Sequence, residues 1–213
     1  METLQTLERG LLALEQISQC NGELTVAQLA EKLKINRTIA YRIAWTLSQA
    51  GYIKINDRQG LQLSSKVINL YHAYEMTIPP MTQDVLIRLA EQTQGSAALV
   101  VAEGEECVVV QSVSASAQYF KVNYQLGSRH PIGVSAAGIA IAMTYPAHAD
   151  EAEHIQQARK IGYGFSEGQF QTGARGYFMP LPHRHMAIGI VTFEQPELDK
   201  IVSALLEATH KMG

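Results

Sequence analysis

The 213-residue sequence predicts a two-domain α+β protein, and three observations support this fold class. The pattern of apolar residues over 24–63 predicts, in this order, a helix, a turn, a second helix and a hairpin. Two consecutive prolines, Pro79 and Pro80, then interrupt the chain, and such a pair ends any helix. Beyond them, short apolar strands alternate with amphipathic helices, which is typical of an antiparallel sheet flanked by helices. The expected domains are residues 1–63 and 81–213, with a linker helix and the proline boundary at 64–80.

Three helices are predicted in the first domain from their capping residues. Thr6 is placed to cap the first of them. Thr25 and Gln28 have the spacing of a capping box and open the second helix. Asn36 is a good N-cap for the third helix, and Gly51 ends it because glycine readily takes the left-handed conformation that follows a helix.

The third predicted helix has an apolar face and a polar face. Its apolar residues follow the i, i+3, i+4, i+7 spacing of a buried stripe and are Ala40, Ile43, Ala44 and Leu47. The residues on the opposite face or at its border are Arg37, Thr38, Tyr41, Arg42, Trp45 and Gln49. Guanidinium and hydroxyl groups near a helix N-terminus suit the DNA major groove, where they reach base edges and phosphates. An ordinary solvated helix face is the alternative.

Trp45 is the only tryptophan and is predicted on the outward face of that helix. Large aromatic side chains are rarely left fully exposed. We therefore expect Trp45 to pack beneath the hairpin or a neighbouring helix, with contact to a sugar-phosphate edge as the alternative.

A hairpin follows the third helix at once, which predicts a winged helix-turn-helix. Residues 52–55 and 61–63 alternate like strands around a turn at 56–60, and Arg58 lies at the tip of this wing. Residues 24–66 carry seven basic and two acidic side chains, a net charge of +5 in a chain whose net charge is −3. Such a basic patch predicts a DNA-binding surface. The candidate DNA contacts are Thr25, Asn36, Arg37, Thr38, Tyr41, Arg42 and Arg58.

The second domain is predicted as helices flanking a mostly antiparallel sheet, a fold that can enclose a small ligand pocket. Its expected helices are residues 82–94, 135–143, 150–161 and 197–211, and its expected strands are residues 97–101, 107–113, 119–124, 177–181 and 186–193. Residues 127–132 are expected to form a loop.

The sequence offers little for catalysis or cofactor binding. The two cysteines, Cys20 and Cys107, are far apart and lack metal-ligand spacing, and the segment around Ser135 lacks the glycine that a serine-hydrolase motif needs two residues later. We expect no catalytic residue, no metal and no cofactor. With no secretory signal and no apolar run long enough for a membrane span, we expect a cytoplasmic protein that does not contact a membrane.

Several motifs along the chain together resemble those of the IclR family of transcriptional regulators. They are residues 6–11, 24–33 and 42–52 in the first half, and residues 89–91, 127–131, 136–140, 162–163 and 173–175 in the second. The resemblance implies a winged helix joined by a helix to a GAF-like effector domain. It also implies a homodimer or tetramer that binds a palindromic operator in double-stranded DNA and responds to a small organic acid or an aromatic effector.

The chain departs from the family pattern at the implied effector site. The stretch before Gly162 is shorter than usual, so we expect a helix or lid of the effector domain to be missing. Ser166 and Gly176 stand where family members that bind small oxo acids have aspartate and cysteine, and Ile190 and Thr192 lie on the strand that carries serines. The remaining candidate pocket residues are Tyr119, Val122, His130, Ala136 and Ala137. Because polar partners are missing, we expect a bulkier, aromatic ligand or a degenerate pocket.

The sequence therefore predicts a DNA-binding transcriptional regulator whose operator affinity responds to a small ligand. Whether it represses or activates stays open. One alternative is a DNA-binding regulator that needs no ligand. The other is a small-molecule enzyme that uses its N-terminal domain only for dimerisation.

Overall fold

The computed structural model describes residues 2–20, 22–115, 125–169, 171–181, 184–195 and 197–213. The chain forms two compact units, which meet between Ile78 and Pro79. Most of the segment predicted as a linker therefore belongs to the first unit. None of the described helices has the length and hydropathy needed to cross a membrane.

The first unit has the element order of a winged helix-turn-helix. Its elements are α1 (Gln5–Ser18), α2 (Val26–Lys32), α3 (Arg37–Gln49), β1 (Ile53–Ile55), β2 (Leu61–Leu63) and α4 (Lys66–Glu75). The two strands form an antiparallel hairpin in which Ile53 is opposite Leu63. The core that α1, α2, α3 and the hairpin share consists of Ala13, Ile17, Leu24, Leu29, Ile43, Ala44, Ile53 and Leu61. The winged helix predicted from the sequence is confirmed.

Local capping explains where α2 begins and where α3 begins and ends. Thr25 Oγ1 accepts a hydrogen bond from the Gln28 amide, and Gln28 Oε1 accepts one from the Thr25 amide at 2.9 Å, which is the predicted capping box. Asn36 Oδ1 accepts the Thr38 amide at 2.8 Å. Gly51 has a φ of +80°, so the chain turns sharply out of α3.

One predicted cap is wrong. Helix α1 begins at Gln5, and the preceding Leu4 makes no side-chain cap, so Thr6 already lies inside the helix. The first amides of α1 therefore lack the side-chain acceptor that Thr25 and Asn36 provide for α2 and α3.

The second unit is a six-stranded antiparallel sheet with helices on both faces. Its elements are α5 (Thr82–Thr93), β3 (Ser96–Glu103), β4 (Glu106–Ser114), β5 (Arg129–Pro131), α6 (Ala136–Ala142), α7 (Glu153–Ile161), β6 (Gly164–Glu167), β7 (Arg175–Leu181), β8 (Met186–Thr192) and α8 (Leu198–Met212). The strand order is β5-β4-β3-β8-β7-β6. Helix α6 packs on one face, and α5 and α8 pack together on the other. The α+β fold class is confirmed.

Some elements of the second unit differ from the prediction. Residues 129–131, expected as loop, pair with β4 as an edge strand, and residues 164–167 form the opposite edge, which was not predicted. Helix α5 ends at Thr93, one residue before the predicted end, and Gln94 follows it as a left-handed C-cap with a φ of +51°. The predicted strand 119–124 lies outside the described residues.

Candidate DNA interface and effector site

The rotation of α3 about its axis is fixed by its apolar stripe. Ala40, Ile43 and Ala44 are buried, so the opposite face of the helix must project from the unit. Four of the predicted contacts, Arg37, Thr38, Tyr41 and Arg42, are exposed on that face or its border. The structure therefore brings them together over the first two turns of one helix.

The other two candidates near this face have their side-chain oxygens engaged in caps. Asn36 Oδ1 accepts from the Thr38 amide, and Thr25 is bonded to Gln28 at the start of α2. Both residues hold the N-terminal ends of the two helices in place. Any contribution to anion binding would therefore come mainly from the exposed helix termini that they order.

The side chain of Asn56 supports the turn of the wing. Asn56 Oδ1 accepts from the amides of Arg58 and Gly60 at 3.0 and 2.7 Å, which closes the turn between β1 and β2. Arg58 is exposed at the tip, as predicted from the sequence. Because its own backbone is bonded to Asn56, the guanidinium extends from an ordered turn.

The exposed arginines of this unit carry uncompensated charge. In the part of the chain that the structure describes, no carboxylate forms a salt bridge with Arg37, Arg42 or Arg58. Lys66, by contrast, donates a hydrogen bond from Nζ to the Ala50 carbonyl at 2.7 Å, and its Nζ lies 4.6 Å from the centre of the Tyr52 ring. Of the basic residues counted in the sequence, Lys66 thus serves mainly to cap α3.

The structure does not place Trp45 where we expected it. Its side chain is 54% exposed instead of packed beneath the wing or a neighbouring helix. It lies on the same side of α3 as Tyr41, which is 57% exposed. The outward helical position is the sequence signal that predicts an exposed side chain here.

At the candidate effector site, Ser166 and Gly176 meet the start of α6. They are directly paired on β6 and β7. Ser166 Oγ accepts from the Ala136 amide at 3.0 Å, and a Cβ on Gly176 would lie 2.9 Å from the Ala136 side chain. A cysteine at position 176 would therefore force α6 away from the sheet. The small residues at the start of α6 therefore allow this helix to pack closely against the sheet.

Two predicted pocket residues lie on the other face of the sheet. Gly176 pairs with Val191, which packs with α6, so the alternation along β8 turns Ile190 and Thr192 toward α5 and α8. Ile190 lies within reach of Gly95 after α5, and Thr192 Oγ1 accepts from the Glu194 amide at 3.1 Å. The assumed register is corrected by one residue, and the β8 residues on the α6 side are Ala187, Gly189 and Val191.

The remaining candidates have different surroundings. Ala137 is fully buried in the core beneath α6. His130 pairs with Cys107 on the opposite sheet edge and shares its face, and burial lowers the pKa of the imidazole. Tyr119 and Val122 lie outside the described residues.

A helix-turn-helix followed by a hairpin, with unpaired arginines on the outward helix, defines a winged helix-turn-helix DNA-binding protein. Residues 6–56 match the sequence model of the IclR helix-turn-helix domain. This segment is an IclR-type helix-turn-helix domain.

The chain is also similar to curated regulatory proteins. The chain is 26% identical over 137 residues to the Pca regulon regulatory protein of Pseudomonas putida, covering 63% of this chain and 47% of that protein. It is 29% identical over 145 residues to the p-hydroxybenzoate hydroxylase transcriptional activator of Acinetobacter baylyi, covering 67% of this chain and 49% of that protein. The chain thus spans about half the length of these curated relatives. Both relatives are named as regulators of transcription.

The fold is shared with solved structures. An IclR homologue from Microbacterium hydrocarbonoxydans, crystallised with 4-hydroxybenzoate, superposes with a TM-score of 0.82 at 15% identity and covers 97% of both chains. At this identity the likeness concerns the fold alone.

Proposed function

We propose that this protein regulates transcription by binding a palindromic operator as a homodimer, through α3 and the wing, in response to a small aromatic effector. The observation that carries the proposal is the cluster of exposed, unpaired Arg37 and Arg42 beside Thr38 and Tyr41 on α3. Chromosomal DNA as partner also implies a cytoplasmic protein.

Each basic residue has a role that follows from its position. Arg42 lies near the middle of the outward face, where a guanidinium can donate two hydrogen bonds to a guanine edge. Arg37 lies at the first residue of α3, beside amides that favour phosphate. Arg58 extends from the wing tip and suits a phosphate of the neighbouring groove.

An apolar groove in the first unit supports the homodimer. It has a volume of about 980 Å³ and runs along α1, α3 and α4. Leu7 and Leu11 of α1 and Leu70 of α4 line it, and more than half of each side chain is exposed. The leucines recur at helical spacing, so α1 of a second copy presents the complementary surface. Burial of these leucines between two copies would place two α3 helices in one dimer.

The aromatic effector is supported by the polarity of the site. Gly176 offers no hydrogen bond, and the Ser166 hydroxyl already accepts from the Ala136 amide. Few hydrogen-bonding groups therefore remain to bind a small polar acid. A ligand of this site must gain more of its affinity by burying apolar surface. Two relatives described above, an activator named for p-hydroxybenzoate hydroxylase and a homologue crystallised with 4-hydroxybenzoate, are consistent with an aromatic carboxylate as the effector.

The second candidate function is regulation without a ligand. The tight contact between Ala136 and Gly176 favours it, because α6 fills space that a ligand would otherwise use. A thermal-shift series with 4-hydroxybenzoate, benzoate, pyruvate and glyoxylate separates the candidates. Stabilisation by aromatic acids alone supports the proposal. Stabilisation by the oxo acids alone contradicts it, and no shift with any of them favours the ligand-free regulator.

Binding to DNA fragments from both sides of the protein's own gene, measured over a salt series, tests the proposal as a whole. We expect one fragment to be preferred, with an affinity that falls steeply as salt rises because phosphate contacts release counterions. Equal binding to every fragment at low salt would contradict sequence-specific regulation.

A further inference from the structure

Trp45 is too exposed for a side chain whose role is to stabilise the first unit. More than half of its surface is open to solvent. Among the described residues it has no hydrogen bond, ring contact or cation above its ring. Tryptophan carries a large apolar area, and leaving it in water is unfavourable unless a partner covers it.

Tyr41 and Trp45 are two exposed aromatic side chains on consecutive turns of α3. They are four residues apart and therefore lie one above the other on the helix surface. The helix cannot rotate to bury them, because Ala40, Ile43 and Ala44 would then leave the core. The fold thus holds both aromatic rings on the outward face of α3, one helical turn apart.

The charge around the rings indicates DNA as their partner. Arg37 and Arg42 flank them, and in the described part of the chain neither arginine has a carboxylate partner. A second copy of this chain would bring the same basic face and would be repelled. A polyanion that also offers apolar groups satisfies both the arginines and the rings.

In the major groove, the thymine C5-methyl is the apolar group that a base edge presents. Four residues of an α-helix span about 6 Å, which corresponds to roughly two base steps of about 3.4 Å. We propose that Tyr41 and Trp45 form an apolar reading surface for thymine methyl groups in the operator half-site, and that Trp45 determines base preference there. This proposal rests on the proposed function, since it needs α3 in the major groove.

Replacing single thymines of the operator by deoxyuridine removes the methyl group and keeps the base pair. For the wild-type protein, we expect such a replacement beneath Trp45 to weaken binding by about fourfold, the factor that one buried methyl corresponds to. The Trp45→Ala protein should bind the dT and dU operators equally well at that position. The Gln49→Ala protein, altered one turn further along the same face, should keep the wild-type ratio.

Tryptophan fluorescence gives an independent readout, because Trp45 is the only tryptophan in the chain. Its emission should shift or quench on binding the operator, and circular dichroism should show Trp45→Ala folded, since the side chain is exposed. If Trp45→Ala binds the operator specifically and keeps the wild-type ratio of affinities for the dT and dU operators, the inference is overturned and the DNA-binding function stays intact. A change of oligomeric state in Trp45→Ala, with unchanged dT preference, would overturn it in favour of an interface between copies. If no fragment is bound specifically, the proposed function itself fails.

Discussion

Asn56 Nδ2 donates a hydrogen bond to the Gly22 carbonyl at 2.9 Å, which joins the turn of the wing to the segment between α1 and α2. The same side chain closes the wing turn through its other atom, Oδ1. One side-chain amide therefore contributes both to the turn of the wing and to its attachment, beside the backbone bond from Leu61 to Leu24, and it supports the backbone of Arg58.

The first prediction concerns Gly60, which lies against this bond. A Cβ at position 60 would overlap the Gly22 carbonyl oxygen, a backbone atom that cannot move aside. We expect Gly60→Ala to lower the free energy of unfolding of the first unit by about 2–3 kcal/mol. Gly10→Ala in α1 is the matched control: its Cβ meets nothing within 4 Å, and alanine should stabilise the helix by about 0.5–1 kcal/mol. Urea unfolding measures the free energy of unfolding of both variants. Equal changes in the two variants would contradict the close packing of Gly60 against the Gly22 carbonyl.

The second prediction separates base reading from phosphate binding. Arg42→Ala should lose about 1–3 kcal/mol of operator affinity and relax sequence preference. Arg58→Ala should weaken binding to all sequences alike and reduce the salt slope by about 1. Equilibrium titrations with operator and scrambled DNA at several salt concentrations measure both effects. Unchanged operator affinity in Arg42→Ala would refute the docking of α3.

The third prediction tests the proposed dimer. Placing carboxylates in the apolar groove through Leu7→Glu and Leu11→Glu should make burial of α1 unfavourable, because unpaired charges resist desolvation. We expect sedimentation velocity to show a smaller species than for the wild type. Leu12→Glu is the control, since Leu12 is an exposed leucine of the same helix that does not line the groove. If all three variants sediment like the wild type, the groove is not the interface.

The fourth prediction concerns the buried ion pair of Glu151 and Arg159. Glu151 is only 7% exposed, and the Arg159 guanidinium bonds both of its oxygens at 2.7 and 2.8 Å. Arg159 also donates to three carbonyls at the end of α6 and just after it. We expect Arg159→Ala to destabilise the second unit by about 3 kcal/mol, because it leaves a buried carboxylate without a partner. Lys200→Ala, which breaks an exposed pair with Glu197, should cost at most about 0.5 kcal/mol.

The pH dependence of the same pair has a definite sign. Hydrogen bonds from Arg159 hold the pKa of Glu151 below its ordinary value of 4.5. The stabilisation is therefore fully present above that value and is lost as the pH falls through the lower pKa of the folded state. Urea unfolding between pH 6 and 3 should show this loss in the wild type, and it should be smaller in Glu151→Gln. Equal pH profiles would contradict the role of Glu151.

The fifth prediction tests which face of β8 carries which residue. Ile190 is fully buried toward α5 and α8, so Ile190→Ala should cost about 2–4 kcal/mol of stability and leave ligand preference unchanged. Val191 is on the α6 side, and Val191→Ala should alter the ligand series in the thermal-shift assay. The reverse pattern would restore the register assumed from the sequence.

The first unit was predictable because its signals are local. Each helix start or end that the sequence marked correctly depends on contacts within a few residues, as between Thr25 and Gln28 or between Asn36 and Thr38. The apolar stripe of α3 then fixed its outward face by helical periodicity alone. Thr6 is not the cap because α1 starts two residues earlier than a helix capped by Thr6 would, and its first amides are at an exposed end where water can accept their hydrogen bonds.

The second unit was less predictable because strand positions depend on distant partners. Side chains alternate with a period of two, so placing the turn before β8 one residue away moves Ile190 and Thr192 to the opposite face. The pairing of Ser166 with Gly176 depends on a short edge strand whose sequence carries no strong periodicity. The contact of both with Ala136 joins segments 30 or more residues apart along the chain.

The sequence by itself determined the winged helix, the direction of its reading face and the basic charge on it, because capping and periodicity act within one or two turns. Tertiary structure alone decided that Trp45 stays exposed, that Lys66 caps α3 and that Val191, not Ile190, faces α6. The physical reason is that burial and strand register are set by which distant surfaces pack together, and local sequence does not encode those distances.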